Sequence, residues 1–297
     1  MTDHDENNAR MTSHRVLAWW DIDLHIGAFH KRKMTARPLR ELERVLGHRV
    51  HVEGWVRYDN MPDDVWKFEA FNYLDASTPS WAAYVMLKML GPLSDWFGMS
   101  WQGYNWKASP LTDDPDEDTI CAFYWNPPDQ HGLPHYRSAG VLLRLVDPRA
   151  KPFDRRDRFN RIARPVVSLP AAPQLRADYE VEFTVHIVCG NKQDLMTYHW
   201  PRLQQSRWPD GVSHFDVDAR THAGKPNIIR VRKVLPDMCE HDAVAYCLSY
   251  AQSFRIKLET GANFRLVGER QPGKKYSDGI VAFALTRAER NSACRPE

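Results

Sequence analysis

Five stretches of this 297-residue sequence carry residue types that could do chemistry. Asp21, Asp23 and His25 stand at alternate positions, with His30, His48 and His51 not far along the chain. Carboxylates and imidazoles bind metals, but no HExxH or paired-histidine motif accompanies these residues. Alternating polar side chains on a half-exposed strand account for the same letters. The stretch Gly268-Glu269-Arg270-Gln271-Pro272-Gly273-Lys274-Lys275 is nearly a phosphate loop, with Lys where Ser or Thr would hold magnesium. Such a loop must run from a strand into a helix N-terminus, so that backbone N–H groups meet the anion. Here the apolar run Ile280 to Leu285 follows, and Pro272-Gly273 suits a hairpin turn.

Cys239-Glu240-His241-Asp242 brings together a thiol, two acids and an imidazole. A thiolate at a helix N-terminus has a lowered pKa. Adjacent helical residues point in different directions, so Cys239 and His241 are not expected to face each other as nucleophile and base. Asp237 and Glu240 fit a capping box, which gives the acids a structural task. Neither a metal nor a cofactor is expected. GxSxG, a GxGxxG after a strand and CxxC are all lacking, which favours a binding protein over an enzyme.

The remaining two stretches are charged. Asp113, Asp114, Asp116, Glu117 and Asp118 form an acidic loop beside Trp101, Tyr104 and Trp106. As a solvated turn it needs no partner. As a functional element it could imitate nucleic-acid phosphates and enter a basic cleft, since complementary charge raises association rate and selectivity. The aromatics would then be the apolar anchors of the interface. Arg149 to Arg164 carries seven basic residues against two aspartates, with prolines at 148, 152 and 165. Stacking side chains are sparse there, so a solvated connector is expected instead of a nucleic-acid surface.

The elements that must position these residues follow from periodicity. Val16 to Ile26, Val50 to Tyr58 and Val65 to Leu74 read as strands. Arg37 to Leu46 reads as a helix, with Thr35 as its cap and Gly47 as its stop. Ser77 to Ser80 opens the strongest helix of this half, broken at Gly91-Pro92, with a short continuation through Trp96-Phe97. Strands at Ile120 to Trp125 and Gly140 to Val146 follow. Beyond the connector the order recurs: strands at Tyr179 to Val188, Val212 to Ala219 and Asn227 to Leu235, with a helical stretch at Pro201 and Leu203. A helix carrying Ala243, Val244, Cys247, Leu248, Ala251 and Phe254 comes next. Strands at Asn263 to Val267 and Gly279 to Leu285 complete the unit.

Asp118-Thr119-Ile120-Cys121-Ala122-Phe123 returns as Asp278-Gly279-Ile280-Val281-Ala282-Phe283, four identities of six at a separation of 160 (280 minus 120). The expected fold is α+β: two similar tandem units with mostly antiparallel sheets and one long helix each. Residues 1–14 form a tail, 15–148 the first unit, 149–164 the linker, 165–288 the second unit and 289–297 a tail.

Composition bounds the function. Charged residues make up 26% and the formal net charge is +2, so no global attraction to nucleic acid or anionic membrane is implied. No apolar run is long enough to span a membrane. The start is polar without a hydrophobic signal core. The five cysteines are odd in number and read as reduced thiols, so a cytoplasmic protein is expected. Eleven tryptophans are many for this length; core filling is the expected use, with contact surface the alternative.

The Trp19-Trp20-Asp21 strand, the aromatic middle (Trp81, Trp96, Trp101, Tyr104, Trp106) and the late Gly279-Ile280-Val281 strand resemble the immunity proteins of bacterial polymorphic-toxin and type VI secretion systems, most of all the immunity protein 52 family. The resemblance spans most of residues 14–290. It implies a protein that binds a cognate toxin, of restriction-endonuclease-like type, and blocks it in the producing cell. It supplies no catalytic residues. The +2 charge departs from the acidic balance common in nuclease inhibitors. On this reading the partner is the toxin, in a 1:1 or 2:2 complex, the latter built on a homodimer of this chain, and neither membrane nor nucleic acid is an expected partner. A metal- or nucleotide-dependent enzyme is the alternative.

Overall fold

The computed structural model describes residues 13–25, 40, 43–44, 47, 51–56, 65–96, 106–109, 119–125, 137–146, 166–218, 227–250, 254–270 and 279–288. The chain divides into two compact units: Met1–Trp101 with Leu111–Pro173, and Gln102–Pro110 with Gln174–Glu297.

In the first unit, β1 (His14–His25) pairs antiparallel with β3 (Val65–Ala76) on one side and β6 (Arg137–Leu145) on the other. β2 (His51–Val56) flanks β3 and β5 (Thr119–Trp125) flanks β6, giving the order β2-β3-β1-β6-β5. The period of two decides the core face: Val16, Ala18 and Trp20 are buried, as are Asn72, Leu74 and Ala76 on β3. Phe123, Val141 and Leu143 extend that set. Helix α1 (Pro79–Trp96) packs against β1, β3 and β5. Thr78 caps it, its hydroxyl accepting from the Trp81 N–H at 3.1 Å, while Pro79 fills the first helical position, where no N–H is needed.

The helix does not break at Gly91-Pro92; it runs through to Trp96. A proline there removes one backbone hydrogen bond. Burial of Trp81, Ala82, Tyr84, Met86, Leu87 and Leu90 along the preceding turns holds the helix to the core in spite of that loss. Arg40, Glu43 and Arg44 are helical and Gly47 has φ +72, while the rest of the expected helix 37–46 lies outside the described residues.

In the second unit, β8 (Arg176–Ile187) is flanked by β10 (Asn227–Cys239) and β13 (Gly279–Arg287). β9 (His214–Asp218) extends the β10 side. On the other side come β12 (Arg265–Arg270), β11 (Phe254–Glu259) and β4 (Trp106–Ser109). Phe183 is the centre of the core, with ring centroids of Tyr250 at 5.0 Å and Trp208 at 5.3 Å. Two helices cover this face: α2 (Trp200–Arg207), which follows a π-helical turn at Leu195–His199, and α3 (Glu240–Leu248).

Both sheets are mostly antiparallel and the class is α+β, as expected; β7 (Val166–Ser168), parallel to β3, is the exception. Several boundaries differ from expectation. β7 joins the first unit, not the second, because its backbone completes the β3 edge beyond β2. Residues 102–110 belong to the second unit, where β4 pairs with β11. His14 is already in β1 instead of in a tail. Helix α3 spans nine residues against 18 for α1. It stops at Leu248, and Phe254 is the buried first residue of β11. The hydroxyl of Ser249 donates to Tyr246 O at 2.7 Å and the Tyr250 N–H to Cys247 O, closing the helix with a tight turn. The two similar hexapeptides occupy different places: β6 separates β5 from β1, whereas β13 pairs directly with β8. Shared strand alternation accounts for their likeness. The linker 149–164 and the tail 289–297 lie outside the described residues.

Candidate functional site

The polar residues that converge lie at one end of the second sheet, where β8 begins and β10 and β13 end. Their placement starts with Pro236. Proline cannot donate to a strand ladder, so β10 bulges between Leu235 and Met238. Asp237 within the bulge takes φ +49, alone among the described non-glycine residues in having a positive φ. Three polar contacts hold it: its N–H donates to Asp178 Oδ1 at 2.9 Å, and Arg176 Nη1 donates to its carbonyl at 2.9 Å and its carboxylate at 3.1 Å. The capping box is therefore not formed. Asp237 faces Arg176, and Glu240 faces Arg287 at 2.9 Å. Arg287 also lies over the ring of buried Tyr179, and burial raises the Tyr179 pKa.

After the bulge, Cys239 resumes pairing opposite Arg176 and is the residue before α3. Its backbone is extended, φ −73 and ψ 148, and not helical. The rule that neighbouring helical side chains diverge does not apply to such a residue. The Cys239 thiol, His241 imidazole and Asp242 carboxylate accordingly present donor atoms within 4.8 Å of one another. His241 Nε2 is 3.7 Å from Asp242 Oδ2. The expectation took Cys239 as helical; it stands before the helix, and its thiol shares a cluster with the His241 imidazole. Cys239 and His241 are each 4% exposed, and Asp242 is half-buried. Desolvation pushes the His241 pKa below its ordinary value, partly opposed by Asp242 and Glu240. The site thus combines a soft sulfur, an imidazole and a carboxylate, the donor types of a transition-metal centre.

The other candidates stand elsewhere. Asp21 and Asp23 lie on β1 opposite Glu69 and Lys67 of β3, and His25 ends the strand; their side chains are outside the description. His51 starts β2, while His30 and His48 are not described. Gly268 is no part of a phosphate loop. It sits in β12 directly opposite Phe283, and a Cβ there would lie 2.3 Å from the phenyl ring. The next described element, β13, is a strand antiparallel to β12, and Gln271, Pro272, Gly273, Lys274 and Lys275 lie outside the described residues. Trp106 opens β4 opposite Ile256. Its side chain, together with Trp101, Tyr104, Asp113, Asp114, Asp116, Glu117 and Asp118, lies outside the described residues, as does the basic stretch 149–164. Trp20, Trp81, Trp200 and Trp208 fill cores.

Among the described residues no helix is long and apolar enough to cross a membrane. Cys121, Cys189, Cys239 and Cys247 are free thiols. No family model matches the chain, and neither a curated protein nor a solved structure matches it.

Proposed function

We propose that this protein is a cytoplasmic immunity protein that binds and neutralises a secreted toxin, a nuclease, by stoichiometric occlusion and not by catalysis. The reading rests on the resemblance carried by Trp19-Trp20-Asp21, the aromatic middle and Gly279-Ile280-Val281. One structural observation supports it. The outer strand of the second sheet, β9, carries Phe215, 37% exposed, with its ring tilted against buried Trp200 at a centroid distance of 4.9 Å. An aromatic held rigidly against the core while keeping an open face suits an interface anchor, because little side-chain freedom is lost on binding.

The acidic loop, Asp113 to Asp118, with Trp101, Tyr104 and Trp106, is the proposed toxin-facing region. The two units are proposed to be copies of one ancestral unit, which is supported by their shared strand orders, β2-β3-β1-β6-β5 and β9-β10-β8-β13-β12. Co-expression with the toxin encoded by the neighbouring gene tests the function. Relief of growth arrest is expected; continued arrest at equal expression contradicts it.

A further inference from the structure

We propose that Cys239, His241 and Asp242 form a binding site for one divalent zinc-class cation, independent of the toxin-binding reading. Three observations carry this. The donor set is mixed and complementary: a thiolate, an imidazole nitrogen and a carboxylate oxygen, all within 4.8 Å. Tetrahedral zinc bond lengths put such atoms roughly 3.3–3.6 Å apart, so binding requires a closure of only about 1 Å. The cysteine and aspartate donors together supply the charge that neutralises a dication.

The donors also stand on fixed elements. Cys239 is paired to β8 at Arg176, while His241 and Asp242 belong to the first turn of a helix pinned by buried Ala243, Val244, Cys247 and Leu248. Finally, the nearby acids are already engaged. Asp237 faces Arg176 and Glu240 faces Arg287, so the charge of those two is balanced without a metal. Three protein ligands leave a fourth position for water, and half-buried Asp242 marks the side from which water reaches it.

Cobalt reports the site directly. The full-length protein, stripped with chelator and kept under a metal-free reductant, is titrated with Co2+. One equivalent should produce a thiolate-to-cobalt charge-transfer band together with the visible bands of tetrahedral cobalt. Zinc should then bleach both, since zinc binds such a site more tightly than cobalt. Cys239→Ser should abolish the charge-transfer band, whereas Cys189→Ser should leave it unchanged. Asp242→Asn, at a half-exposed position, should keep the band and weaken binding about 10- to 100-fold. A band that survives Cys239→Ser overturns the proposal. So does wild-type protein that gives no band in excess cobalt and retains no zinc in native mass spectrometry. That last pair of measurements decides the matter even if the Cys239 variant does not fold.

Discussion

At the scale of single residues, two positions carry consequences that can be measured in the metal-free protein. His241 is buried with its pKa lowered from 6.5 by desolvation. The unfolded chain therefore binds its proton more readily than the folded one, and stability falls as pH drops from above 6.5 through the folded-state value. Urea midpoints measured from about pH 7 to about pH 5 should decline, and His241→Gln should flatten that slope. A slope unchanged in the variant would assign the acid sensitivity to other groups. Gly268 makes a sharper prediction. Gly268→Ala places a methyl against the Phe283 ring and should cost about 1–3 kcal/mol in urea unfolding, part of it recovered by adding Phe283→Leu. The glycine was visible in the sequence, but its reason was not. What forbids a side chain is the Phe283 ring, 15 residues away (283 minus 268) across a strand pair, and spacing cannot show that. The Cys239 group was missed for a related reason. Helical geometry across all four residues would separate its members, while the first has an extended backbone.

At the scale of elements, alternation made the long strands legible. Val65 to Leu74 and Asn227 to Leu235 fall within β3 and β10, since each carries an apolar face that only the sheet can bury. Helix ends were harder to place. Gly91-Pro92 looks like a stop, yet tertiary burial carries α1 past it, and Phe254 opens a strand, while Ala251 lies outside the described residues. The π-helical turn at Leu195–His199 has no sequence signal of its own. The cap of α1 is a test at this scale. Thr78→Ala removes the acceptor of the Trp81 N–H and should lower stability by about 1 kcal/mol, with Thr78→Ser close to wild type. Equal losses in both variants would assign the effect to the Thr methyl instead of the hydroxyl.

At the scale of the whole molecule, the claim is that the protein works by being complementary to another macromolecule. Composition pointed that way only by exclusion, through a balanced charge and an absence of catalytic signatures; the specific partner came from resemblance. The aromatic anchors should dominate the energetics. Alanine at Trp101, Tyr104 or Trp106 should each weaken toxin binding by about 2 kcal/mol or more, whereas removing single charges of the loop 113–118 should mainly slow association at low salt. The most direct measurement is the mass of the species formed when the purified protein is mixed with the neighbouring gene's toxin, read by light scattering behind size-exclusion chromatography. A single peak at the mass of a 1:1 or 2:2 assembly, with the toxin inactive in it, is the predicted result. Two separate peaks with the toxin fully active would contradict the account.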